Sequence, residues 1–129
     1  YFSVCTPSTH DMNPLRAWWE ENRELSERFY REVLGMEGDA PRTCEPWICR
    51  RIVDMHLRSP AMLAILPLQD WLATDAALRS PHADRERINI PAAPRYYWRY
   101  RMHLTLEELL RQEPFNATLR EMIIAGGRR

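Results

Sequence analysis

The chain has 129 residues with 18 basic and 18 acidic side chains, so its formal net charge is zero, and no block of one sign argues for a phosphate-tracking nucleic-acid binder. A hydrophobic share of 45% suffices for one modest core, while the longest apolar run, "AMLAILPL" at 61–68, is far too short to span a bilayer. All the basic residues are arginine, a coding bias more than a functional signal. Cys5, Cys44 and Cys49 form no even disulfide framework, and the CxxxxC spacing lacks a second pair for zinc. Reduced thiols and the lack of a basic-then-apolar leader fit a cytoplasmic protein.

Taken in chain order, residues 1–6 read as a short buried strand of aromatic and β-branched residues, ended by Pro7. Beginning mid-strand and without methionine, the chain reads as part of a longer protein. Asn13 before Pro14 predicts a capped helix start, with the helix running to Leu34 and stopped by Gly35. Leu15, Trp18, Trp19, Leu25, Phe29 and Val33 give it an apolar face. A Gly- and Pro-bearing loop leads to a second helix, Pro46 to Leu57, with Trp47, Ile48, Ile52, Val53 and Met55 on its buried side. Residues 62–66 then read as a second strand, apolar on both faces as in a parallel sheet. Residues 73–95 read as loop, "YYWRYRM" is dense in aromatics and arginine, Thr105 to Glu108 form a capping box, and a last helix runs from Pro114 or Phe115 to Ala125 before Gly126 and Gly127.

Strand, helices, strand is the parallel crossover pattern. Two strands cannot make a stable parallel sheet, and a complete eight-stranded barrel takes roughly 250 residues. The predicted fold class is therefore α/β, the closing portion of a (β/α)8 barrel, incomplete on its own.

In such folds ligands sit beyond the carboxyl ends of strands. His10 and Asp11 stand there after the first strand, and Gln69 and Asp70 after the second. Each group has a plainer reading as well. His10 and Asp11 could cap a turn, Asp70 could cap the next segment, and Trp98, among Tyr96, Tyr97 and Arg99, could simply pack. A carboxylate beside a histidine can grip neighbouring sugar hydroxyls and favours positive charge developing at a reacting carbon. The same pair could ligate a metal, but His56, His82 and His103 fall in no evident ligand spacing.

The segments "FSVCTPSTHDMNPLRAWWEE", "CEPWICRRIVDMHL", "AILPLQDWLATD" and "RINIPAAPRYYWRYRMHLTLEELL" resemble, together and in order, the C-terminal part of the 4-α-glucanotransferases. These are the amylomaltases or disproportionating enzymes of the α-amylase clan, and the segments resemble in particular the branch that includes the plant cytosolic enzyme and its bacterial relatives. The resemblance covers nearly the whole chain and implies strands 7 and 8 of a (β/α)8 barrel with their helices, 1–129 forming one part of the catalytic barrel with no second domain. It further implies a retaining double displacement moving α-1,4-glucosyl units between malto-oligosaccharides or glucans and glucose or glucan acceptors. No cofactor or metal is implied, and no nucleic-acid or membrane partner.

By the same resemblance Asp11 matches the third catalytic carboxylate, which holds sugar hydroxyls and stabilises the transition state. His10 matches the histidine neighbour in the same sugar subsite, and Thr9, Asp70, Asn89 (in RxNxP) and Trp98 are further substrate-binding candidates. The nucleophile and the acid/base have no counterpart here and are expected in an upstream part of the same barrel. Retention needs two carboxyl groups about 5–5.5 Å apart, so these residues alone are expected to be inactive. The competing expectation is a free-standing helical glycan-binding or interaction module without catalysis.

Overall fold

The computed structural model describes residues 2–128. Two short strands, β1 (Val4–Cys5) and β2 (Leu63–Ala64), pair in parallel with Val4 opposite Leu63 and Cys5 opposite Ala64. Between them run α1 (Leu15–Glu21), α2 (Arg23–Glu32) and α3 (Pro46–Leu57). After β2 come α4 (Leu68–Leu72), a 3-10 turn at Ala83–Arg85, α5 (Leu106–Leu110) and α6 (Glu113–Ala125). The described residues thus form a small α-rich unit with a short parallel sheet.

α3 matches its predicted bounds. Pro46 occupies its first position, where a missing N–H costs nothing, and Ile48, Cys49, Ile52, Val53 and Leu57 form the buried stripe. Full burial of an aliphatic side chain of this kind is worth about 1.5–3 kcal/mol. Trp19, 1% exposed, packs against this stripe, and its indole N–H donates to the Pro41 carbonyl at 2.9 Å. Cys44 and Cys49 lie side by side in this core as free thiols, Sγ to Sγ 3.3 Å. A smaller core joins Leu72, Leu78 and Phe115, with Trp71 touching both cores.

The predicted helix from Pro14 to Leu34 is two helices. Asn22 breaks it with an extended backbone (φ −134°, ψ 102°), and its side-chain oxygen accepts the Leu25 N–H at 3.1 Å. Asparagine competes for such a cap better than it supports a helix interior. The break frees Arg23 to donate to the carbonyls of Ala40 and Pro41, at 2.5 and 3.0 Å, tying α2 to the loop before α3. α2 ends at Glu32 with Val33 as its C-cap, two residues short of the predicted Leu34, and Gly35 follows in the left-handed region at φ +66°.

Asn13 does not cap α1. Its amide donates instead to Glu21 Oε2 at 2.7 Å, and the cap position falls on Pro14, which has no side-chain acceptor. The first helical N–H, that of Leu15, is satisfied from far away in sequence by Asp70 Oδ1 at 2.8 Å. Several residues expected in the core are also exposed, among them Leu25, Val33, Trp47 and Met55. On these helices the buried stripe is narrower than the apolar pattern suggests.

The strands correct a further expectation. Rather than buried on both faces, Val4, Leu63 and Ile65 are 54%, 48% and 57% exposed, and Phe2 97%. A two-stranded ribbon has an open edge on each side, and among the described residues no second layer covers these side chains. Tyr1, counted in the first predicted strand, lies outside the described residues. The short helix α4 falls where only a polar strand end was read. The capping box of α5 is present as predicted, Thr105 Oγ1 accepting from Glu108 N at 3.1 Å and Glu108 Oε2 from Thr105 N at 2.7 Å. The last helix begins one residue earlier, at Glu113. Among the described residues no helix is long and apolar enough to cross a membrane.

Candidate functional site

Because β1 and β2 are parallel and in register, the chain leaves both at the same end. There the 6–14 loop and the β2–α4 connection meet. Beneath the first loop lies Asp70, fully buried, with both carboxylate oxygens engaged: Oδ1 with Leu15 N, and Oδ2 with the Ser8 hydroxyl at 2.6 Å. Burial pushes this carboxyl above its ordinary range, and the hydrogen bonds from Ser8 and Leu15 oppose the shift. Asp70, expected to touch sugar, thus has no exposed surface to offer one, and the structure gives it the work of fixing the loop onto α1.

Above it the loop turns outward. Met12 N donates to Thr9 O at 3.1 Å, closing a turn over which Thr9 Oγ1 accepts from Asp11 N at 3.4 Å. His10 and Asp11 are thereby presented at the surface, their side chains 53% and 48% exposed. The segment 87–89 returns from the far side of the chain and lies against them. Asn89 N donates to the His10 carbonyl at 3.0 Å, and Asn89 Nδ2 to Asp11 Oδ1 at 2.6 Å. His10 Nε2 stands 3.4 Å from the same carboxylate oxygen. Trp98 lies against His10, ring centroids 5.2 Å apart and tilted by 43°, and remains 61% exposed.

The structure therefore brings together Thr9, His10, Asp11, Asn89 and Trp98, and leaves Asp70 beneath them. Asp11 Oδ1 is oriented by its neighbours, while Oδ2 has no hydrogen-bond partner among the described residues. A half-exposed carboxylate with one free oxygen, an imidazole beside it and an open indole face suit a neutral polyol. The first accepts from hydroxyls, the second donates, and the third packs on a C–H face. A cavity of about 510 Å³ adjoins the cluster, lined by the polar Asp11, Asn13 and Arg87 and the apolar Leu15, Trp18 and Phe29 among others. Among the described residues no three His, Cys, Asp or Glu side chains gather as metal ligands.

Arg87 joins this cluster without having been singled out in the sequence, although it opens the "RINIP" stretch. A second feature missed there is a buried pair nearby. Arg16 and Glu86 stand 3.4 Å apart, 8% and 3% exposed, with Arg16 Nε and Glu86 Oε2 lacking partners among the described residues. Burial pushes the Glu86 carboxyl up to about 7, against the pull of Arg16 and with some help from the charge of Asp70.

The sequence profile described as 4-alpha-glucanotransferase matches residues 1–106. The chain belongs to the 4-alpha-glucanotransferase family. It is 43% identical to the 4-alpha-glucanotransferase DPE2 of Oryza sativa subsp. japonica over 128 residues, 99% of this chain and 14% of the rice protein. It is 32% identical to the 4-alpha-glucanotransferase of Chlamydia pneumoniae over 125 residues, 96% of this chain and 23% of that protein. The enzyme of that name from Aquifex aeolicus (strain VF5) is 32% identical over 100 residues, 78% of this chain and 18% of that protein. The chain thus spans less than a quarter of the length of these glucanotransferases. His10, Asp11, Asp70, Arg87, Asn89 and Trp98 all fall within the stretch that matches the family.

Proposed function

We propose that this chain is the C-terminal part of the catalytic (β/α)8 barrel of a 4-α-glucanotransferase, supplying strands 7 and 8 and one wall of a sugar subsite. The whole enzyme would transfer α-1,4-glucosyl units between malto-oligosaccharides or glucans and glucose or glucan acceptors, in the cytoplasm, by a retaining double displacement. The nucleophile and the acid/base come from the upstream part of the barrel. Asp11 contributes the third carboxylate. Its free oxygen accepts hydrogen bonds from adjacent ring hydroxyls, which become more acidic as the sugar takes on positive charge, so the contacts strengthen in the transition state. His10 and Asn89 orient that carboxylate and reach the same hydroxyls, Trp98 packs on a neighbouring sugar face, and Thr9 fixes the turn. Asp70 holds the loop from below.

The observation that carries this reading is the Asp11 carboxylate, half exposed and gripped on one oxygen by Asn89 at the loop end of a parallel strand pair. In the whole protein, Asp11→Asn is expected to lower kcat for maltotriose disproportionation by roughly 10²–10³-fold with an unchanged unfolding midpoint, matching the several kcal/mol such hydroxyl contacts supply. Turnover within a few-fold of the wild type would overturn the role of Asp11.

A further inference from the structure

Arg87 ties together the two segments that carry Asp11 and Asn89. Its Nε donates to the Asn89 carbonyl at 2.9 Å, its Nη1 to Asn13 Oδ1 at 2.9 Å, and its Nη2 to the Asp11 carbonyl at 3.3 Å. Three nitrogens thus reach three oxygens on two segments more than 70 residues apart, all of them neutral. Some other arginines of the chain are engaged in ion pairs: Arg28 and Arg58 make exposed pairs with Glu32 and Asp54 one helical turn away, and Arg16 pairs with Glu86, whereas Arg128, like Arg87, donates to carbonyl oxygens. Arg87 is in no ion pair among the described residues. A half-buried guanidinium spent wholly on backbone and amide oxygens acts through geometry, since its planar fork fixes directions that a point charge does not.

We propose that Arg87 is the positioning residue for Asp11. By holding the Asp11 carbonyl and the Asn13 side chain against the backbone of Asn89, it sets the spacing at which Asn89 Nδ2 meets Asp11 Oδ1 at 2.6 Å. The free oxygen of Asp11 is thereby aimed at the sugar. Without Arg87 the two segments remain linked through Asn89 N to His10 O and the Asn89–Asp11 contact, but neither bond fixes the Asp11 backbone. A carboxylate displaced by about 1 Å loses on the order of 100-fold in rate. Lysine carries one nitrogen and cannot reach three oxygens from three directions, so charge alone does not replace it.

The inference rests on the reading of Asp11 given above, and the experiment separates the two. Arg87→Ala, Arg87→Lys, Asp11→Asn and the Asp11→Asn/Arg87→Ala double variant are made in the whole protein and assayed for glucose release from maltotriose. Both Arg87 variants are expected to lose on the order of 100-fold in kcat with KM changed only a few-fold. In the Asp11→Asn background the further loss from Arg87→Ala should shrink to a few-fold, because Arg87 has nothing left to aim. Near-normal turnover in Arg87→Lys, or losses that multiply in the double variant, would overturn the inference. If Asp11→Asn is strongly impaired and the Arg87 variants are not, only this inference fails. If Asp11→Asn itself turns over normally, the reading of Asp11 fails and this inference with it.

Discussion

Asp11 and Asp70 each follow a strand of one parallel pair, and strand-end position makes both of them candidates. Burial separates them: the first stands half exposed with a free oxygen, the second is sealed under the loop with both oxygens bonded. Strand-end position was legible in the sequence because it depends only on local pattern. Which aspartate faces outward depends on Ser8 and Leu15, which lie 62 and 55 residues from Asp70, and no local pattern encodes that. Arg87 reads in the sequence only as the first residue of RxNxP, with no role of its own, for the same reason, its partners Asp11 and Asn13 being 76 and 74 residues away. Glu86 carries a prediction at this scale. Its folded-state pKa, pushed up to about 7 from an ordinary 4.5, means that between those values the folded state binds more protons than the unfolded one. Stability therefore falls as pH rises through that window, by up to about 3 kcal/mol. Arg16, Asp70 and Glu20 are the charged groups acting on Glu86, and Tyr100 is close enough to feel its charge. Glu86→Gln removes the titration, so the variant should gain on the wild type as pH rises from about 4.5 to 7 and keep a constant offset above. Unfolding midpoints of both proteins across that range check it, and parallel curves would contradict it.

The elements were read best where one residue type settles the matter. Pro46 started α3, the Thr105–Glu108 box started α5, and Gly126 closed α6. The reading failed where two signals competed. The apolar spacing of residues 14–34 argued for one helix, while Asn22 argued for a cap and won, because the break lets Arg23 reach the loop before α3. α4 is only five residues long, too short for periodicity to show. Gly126 illustrates an element contact that sequence punctuation does not reveal. It closes α6, and it also lies so near α3 that an added Cβ would stand 2.8 Å from Leu57 Cβ and 3.1 Å from the Leu57 carbonyl carbon. Arg128 then donates to the Leu57, Ser59 and Ala61 carbonyls, fastening the end of the chain beside β2. Gly126→Ala should therefore cost about 1–3 kcal/mol through overpacking, although its φ of −75° is open to alanine. Chemical denaturation of the whole protein measures it; an unchanged midpoint would show that α6 shifts freely on α3.

For the molecule as a whole, family membership rests on a match that runs over residues 1–106, and the relatives it matches are at least four times longer than this chain. The exposed apolar residues of β1 and β2 are where, in our proposal, neighbouring strands and helices of the barrel pack. In the same proposal the sugar subsite has two origins, one wall from this chain and the bond-breaking carboxyl groups from the rest of the protein. The central claim is that Asp11 faces the sugar at the reacting bond. A crystal structure of the whole protein with a bound malto-oligosaccharide analogue tests this most directly. The account predicts two adjacent ring hydroxyls within about 3 Å of the Asp11 carboxylate, with a neighbouring sugar face on Trp98. An oligosaccharide bound in the catalytic cleft with no sugar oxygen within about 3.5 Å of Asp11 would contradict it.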